Sequence, residues 1–233
     1  MRHGDKQVLN STEQTEVFLI KERNEKNALK RLRENRNSTF AINFISAMQD
    51  SIDDVAKQTQ RQGIHFDCKA GCTYCCTLRV EALAPEVFRI ACELKKLKLD
   101  QLAAVIERLK VHAMKAAGVP SKEFYLTCPL LVNGLCSIYS VRPGMCRKFY
   151  SLDVEQCKNP DAEIPENLGM VVKSGAIMSG ITHAYERAKF SAAPHELGQA
   201  LLLALTDSTA EERWGKGEIV FDLLPEALLQ HIT

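Results

Sequence analysis

Four cysteines fall within nine residues in Cys68-Lys-Ala-Gly-Cys72-Thr-Tyr-Cys75-Cys76. Three more follow as Cys128, Cys136 and Cys146, and Cys157 comes eleven residues after the last of these, so the thiols form two groups about fifty residues apart. Thiolate sulfur is soft and selects zinc, copper(I) or iron-sulfur centres over magnesium or calcium. Four thiolates complete a tetrahedral zinc or terminate a cubane, and eight suffice for two such sites. Zinc sites usually take paired C-x2-C spacings, whereas Cys68-x3-Cys72-x2-Cys75 is looser. Vicinal Cys75 and Cys76 point in different directions on an extended chain, so that one serves a second metal or binds from the opposite wall. The expected ligands are Cys68, Cys72, Cys75, Cys76, Cys128, Cys136, Cys146 and Cys157. The expected group is an iron-sulfur cluster of the [4Fe-4S] kind, with zinc as the alternative.

The compartment matters to this chemistry. Met1 to Gln14 is polar and no run of eighteen apolar residues occurs, which predicts a cytoplasmic protein and no membrane association. In that reducing setting cystines would not persist, while clustered thiolates stay available to metal. A catalytic thiol needs one cysteine with a histidine close in space, and four cysteines in nine residues do not ask for that. Of the six histidines only His65 adjoins the run, and the cysteines already satisfy a metal without it. Cys92 lies outside the spacing and reads as a small buried hydrophobe.

The elements that must position these thiols read as helices. Ser11 with Gln14 suggests a capping box for a charged, peripheral helix with a sparse stripe of Val17, Ile20, Leu29 and Leu32. Ser38 suggests an N-cap for a helix over 39–60, in which Ile42, Ile45, Met48, Ile52 and Val55 share one face. Gly63 ends that helix, and Gly71 allows a tight loop within the cysteine run. Pro85 opens a helix reaching residue 98, and Asp100 caps another running to Ala117. Asn133-Gly134 between short apolar runs predicts a hairpin, the one β feature. Residues 166–189 and 194–206 read as two further helices, a tail helix begins at Pro225, and Trp214 reads as a packing aromatic. The expected fold is mainly α, around a cysteine-rich loop and a short β-hairpin. Its expected segments are 1–65 (helices), 66–158 (the metal-binding domain) and 159–233 (helices packing on it).

The order Cys68-x3-Cys72-x2-Cys75-Cys76, Leu83-Ala-Pro85-Glu86, Cys128-Pro-Leu-Leu, Asn133-Gly134-Leu-Cys136-Ser-Ile-Tyr139 and Arg142-Pro143-Gly-Met-Cys146-Arg147 resembles the YkgJ-type cysteine-cluster family, a zinc- or iron-chelating domain. The resemblance runs from about Phe66 to Cys157 and implies a metal-chelating module. Flagellin lysine N-methylases carry a similar cluster, which implies that some members methylate protein lysines. The matching positions for that activity are the cysteines alone, and no Gly-rich loop after a strand marks a methyl-donor site. The loop spacing also resembles radical S-adenosylmethionine enzymes, but no strand–helix alternation follows it.

Function is therefore expected to lie with the metal: a redox or structural module serving a protein partner, or an enzyme of the lysine methylase type acting on a protein substrate. Around the cluster, Arg142, Arg147 and Lys148 would offset thiolate charge, and Tyr139 and Tyr150 would donate to sulfur or shield it. The net charge is only +1, and the basic run from Lys21 to Arg36 is interleaved with glutamates, which argues against nucleic acid.

Overall fold

The computed structural model describes residues 9–159 and 162–224. The chain is mainly α: α1 (Ser11–Glu34), α2 (Ser38–Phe44), α3 (Ser46–Arg61), α4 (Ala84–Leu94), α5 (Leu99–Ala116), α6 (Gly144–Lys148), α7 (Val154–Cys157), α8 (Leu168–Arg187), α9 (Leu197–Thr206) and α10 (Ala210–Gly215). Two antiparallel pairs join them: β1 (Glu81–Leu83) with β4 (Pro194–Glu196), and the hairpin β2 (Leu131–Val132) with β3 (Leu135–Cys136). Among the described residues no helix is long and apolar enough to cross a membrane.

Local chemistry accounts for most of these boundaries. At α1 the cap is Asn10 rather than Ser11, and its partner is Glu13 rather than Gln14. The Asn10 Oδ1 accepts the Glu13 amide at 3.0 Å and the Glu13 carboxylate accepts the Asn10 amide at 2.8 Å. This reciprocal pair satisfies two amides that a helix start leaves orphaned. Asn37, one residue before the expected Ser38, caps α2 by accepting the Phe40 amide at 2.7 Å. The single helix expected over 39–60 is broken at Ile45 into α2 and α3. Ile42, Ile45, Met48 and Ile52 are nevertheless all buried, so the break leaves the apolar stripe intact.

Helix α4 ends at Leu94, short of residue 98, and α5 starts at Leu99 with Lys98 as its cap, so Asp100 falls in the first turn. Cys92 is exposed, contrary to expectation, because Ile90, Ala91 and Leu94 take the buried side of α4. Residues 194–196, expected to be helical, form β4, with Ala82 opposite His195. The hairpin turns through Asn133 (φ 51°) and Gly134 (φ 73°), the left-handed pair that such a two-residue turn requires. The helix expected from Pro225 lies outside the described residues.

One hydrophobic core draws on Leu29 and Leu32 of α1, Ile42 to Ile52, Val87 and Ile90 of α4, Leu109 of α5 and Leu201 of α9. Helix α8 lies along α1 and also meets α3 and α6, while α9 packs on α4 and α5. The α1–α8 contact is backbone-close at Gly180, where a Cβ would collide with the Lys21 carbonyl oxygen. Trp214 is fully buried, stacks on Phe190 and donates its indole N–H to the Ser191 carbonyl at 2.8 Å. Helices α3, α4 and α9 thereby form a rigid bed beneath the two cysteine segments.

Candidate metal centre

The two cysteine segments, far apart in sequence, are stitched together by their backbones. The Cys128 amide donates to the Cys76 carbonyl at 2.7 Å and the Leu126 amide to the Thr77 carbonyl at 3.1 Å. At the other end the Asp67 amide donates to the Ser151 carbonyl at 3.1 Å, and the Asp67 carboxylate accepts the Val154 amide at 2.9 Å. Within the first segment Gly71 takes φ +90° and Tyr74–Thr77 forms one 3-10 turn, so the chain folds back on itself between Cys68 and Cys76.

Between the two segments lies a cavity of about 130 Å³. Cys68, Cys72, Cys75 and Cys76 line it from one side, and Cys128, Cys136 and Cys146 from the other. All seven are free thiols at intermediate burial. Val80, Ile138 and Leu197 give it an apolar floor, with Phe149 and Tyr150 at its side. Among the described residues no three His, Cys, Asp or Glu side chains converge tightly enough to hold a single ion as they stand. The thiols surround a space instead of meeting at a point.

Cys157, the eighth expected ligand, is not in that wall. It lines a neighbouring groove that it shares with Cys75 and Cys76, and its thiol donates to the Asp153 carbonyl at 3.7 Å. His65 is largely exposed, 3.4 Å from Asp67, and does not line the cavity.

The sulfurs are embedded in a consistent electrostatic pattern. The Cys68 Sγ accepts the Ser151 amide at 3.1 Å, and the Leu130 and Ile138 amides likewise favour the charged forms of Cys128 and Cys136. Such N–H donors are what a thiolate wall needs to hold negative charge. Against them, burial raises the Cys68 pKa, pushes Cys128 up to about 11 and pushes Cys146 well up. Cys75 is raised most, first by its hydrogen bond with Cys76 and then by burial. It feels thiols on both sides of the cavity, so it sits between the two walls. Without metal these thiols hold their protons at neutral pH, and metal binding must displace them.

The basic residues divide into two roles. Arg142 lines the cavity, stacks 4.0 Å over the Tyr139 ring and lowers the pKa of Cys75 and Cys136 by its charge. Arg147 is buried and spends its guanidinium on the Ser140 carbonyl (2.6 Å), the Arg142 carbonyl (2.9 Å) and the Asp53 carboxylate. It shapes the loop instead of facing the thiols. Lys148 lies off the cavity and Lys69 on it. Tyr139 and Tyr150 both line it; Tyr150 packs on Phe66 at 4.9 Å between ring centroids.

Two contributors carried no legible ligand signal. Asp53 joins α3 to the loop through Arg147, and one of its oxygens is buried without a hydrogen bond, 3.9 Å from Arg142. Glu86 is buried and accepts the Gly144 amide at 2.7 Å, fixing the start of α6 and with it Cys146. For Glu86 a signal existed, since it stands three residues after Leu83 at a helix start, the capping-box spacing.

Residues 67–164 match the model of the CxxCxxCC family, a putative zinc- or iron-chelating domain. This match supports metal binding by the clustered cysteines. No curated protein and no solved structure matches the chain.

Proposed function

We propose that this chain is a metal-binding protein whose seven cavity thiols hold an iron-sulfur cluster, acting as a redox or structural module for a protein partner. The observation that carries the reading is the cavity itself. Seven free cysteines from two segments line one space of about 130 Å³. One water needs roughly 10–15 Å³ of such space, so there is room for a group of several atoms and not only for one ion. The donor set fits: all sulfur, three sulfurs facing backbone amides, and one arginine against the negative charge. When bound, a cluster supplies one-electron chemistry, its potential set by those hydrogen bonds and by burial. The chain's own part is to hold the sulfurs at fixed spacing, neutralise them through Arg142 and limit water with Tyr139, Phe149 and Tyr150. A reducing compartment such as the cytoplasm keeps the thiols available.

Metal analysis with electronic absorption and Mössbauer spectroscopy on anaerobically purified protein tests this. Iron and acid-labile sulfide are expected. Colourless protein with stoichiometric zinc would replace the cluster by zinc, and protein that takes up neither would remove the reading. Binding of S-adenosylmethionine to the loaded protein would move the assignment from a module to an enzyme of the protein lysine N-methylase type.

A further inference from the structure

The eight clustered thiols are not equivalent. Seven line the inner cavity, while Cys157 opens on an outer groove whose wall also contains Cys75 and Cys76. The vicinal pair is therefore the partition between the two spaces and is reachable from both. The groove is the larger and more open of the two, rimmed by the exposed rings of Tyr74 and Tyr125. Cys157 itself is tethered only by a long contact to Asp153 at the end of the four-residue helix α7.

We infer that Cys157 with the outer faces of Cys75 and Cys76 is an entry site for a soft, thiol-seeking metal ion, distinct from the resident centre and resting on the metal-binding reading above. A three-thiol stepping site lowers the barrier to filling a cavity whose own sulfurs face inward. The Cys157 thiol gives its proton to solvent as its sulfur replaces a water or carrier donor on the ion. Cys76 and Cys75 sulfurs then displace Cys157, which takes a proton back from solvent. The ion keeps its oxidation state throughout, so no oxidant or reductant is involved.

Two measurements test this. In the metal-loaded protein, anaerobic alkylation followed by peptide mapping is expected to label Cys157 together with exposed Cys92 and to spare the other seven. Protection of Cys157 would make it a permanent ligand and overturn the inference. In the second, metal-free protein is mixed with cadmium(II) and the sulfur-to-metal charge-transfer absorbance is followed in time. Cys157→Ser is expected to reach the wild-type amplitude and stoichiometry but about tenfold more slowly, within the range over which on-rates vary among variants of one site. An unchanged rate, or a lost equivalent of metal, overturns the entry site. Failure of the wild-type protein to bind cadmium at all would instead overturn the reading beneath it.

Discussion

One oxygen of the Glu86 carboxylate accepts the Gly144 amide at 2.7 Å and the other accepts the Leu83 amide at 3.1 Å, in a site closed to water. A single side chain thus caps α4 and anchors the loop that carries Cys146, 58 residues away. Gly144 must be small there: a Cβ would stand 3.1 Å from the Met48 Cε and 3.2 Å from the Ile52 Cδ1 on α3. Packing and polar satisfaction meet at this one point, which ties the helical bed to the second thiol wall.

Replacing Glu86 should therefore cost stability and metal together. Glu86→Ala strands two buried amides, at about 1–3 kcal/mol each. Glu86→Gln keeps one acceptor oxygen and should lose about half as much. Urea denaturation of the metal-free variants gives the order, and metal content after equal loading should fall in the same order. A Glu86→Ala protein as stable as wild type would show that the buried carboxylate does not hold the loop.

Gly180 separates fold from site. Its missing Cβ lets α8 approach the α1 backbone at Lys21, and a carbonyl oxygen cannot move aside as a side-chain tip can. Gly180→Ala should destabilise the protein by about 1–3 kcal/mol, as overpacking does, and speed amide exchange in α1. Metal stoichiometry below the melting transition should stay unchanged, since neither helix α1 nor this stretch of α8 borders the cavity. A variant that melts normally would show that the two helices can slide apart at little cost.

What could be read from the residues alone follows the range of the interactions involved. The Asn133-Gly134 hairpin, the cysteine loop at Gly71 and the helical faces are local and repeat at short spacing, so they were legible. The break at Ile45 was not, because the apolar stripe runs through it without a missed beat. The β1–β4 pairing was not either: three residues meet three others more than a hundred positions later, with no alternation to mark them. The division of the thiols, seven inside and Cys157 outside, depends on how the segment after Cys146 turns along Ser151 and Asp67. That is a tertiary contact, invisible to spacing. Arg142 and Arg147 look alike in sequence, and only the buried Asp53 carboxylate decides which one faces the thiols.

Acid should weaken the fold in two windows. His195 is buried with its Nδ1 2.9 Å from the Asp222 carbonyl, and burial lowers its pKa against the weaker opposing pull of that carbonyl. The unfolded chain therefore binds the proton more readily, and stability should fall as pH drops through the ordinary histidine value of about 6.5. For Glu196 burial raises the pKa, but the His112 hydrogen bond and charge with the Gly198 and Gln199 amides outweigh it, leaving the net value low. Its contribution is present above about 4.3, the usual glutamate value, and is lost as pH falls through the lowered one. Urea titrations at a series of pH values should show His195→Gln with a flatter profile between pH 5 and 7 than wild type, by at most about 1.4 kcal/mol per pH unit. Parallel profiles would mean that His195 is charged inside the fold.

Arg142 should tune the centre without holding the fold. Its guanidinium lines the cavity and favours the charged forms of Cys75 and Cys136, yet it stands 3.9 Å from Asp53, beyond hydrogen-bonding distance. Arg142→Gln should weaken metal binding by about 10–100-fold, the range seen when groups around metal ligands are removed. Arg142→Lys, which keeps the charge but not the stacking on Tyr139, should recover part of that loss. In a cluster-loaded protein the loss of positive charge should also make the reduction potential more negative, since the reduced cluster carries the extra electron. Competition with a chelator gives the affinity and a redox titration the potential. If Arg142→Gln changed neither while lowering the melting temperature, the arginine would serve the loop, as Arg147 does, and the thiols would need another source of compensating charge.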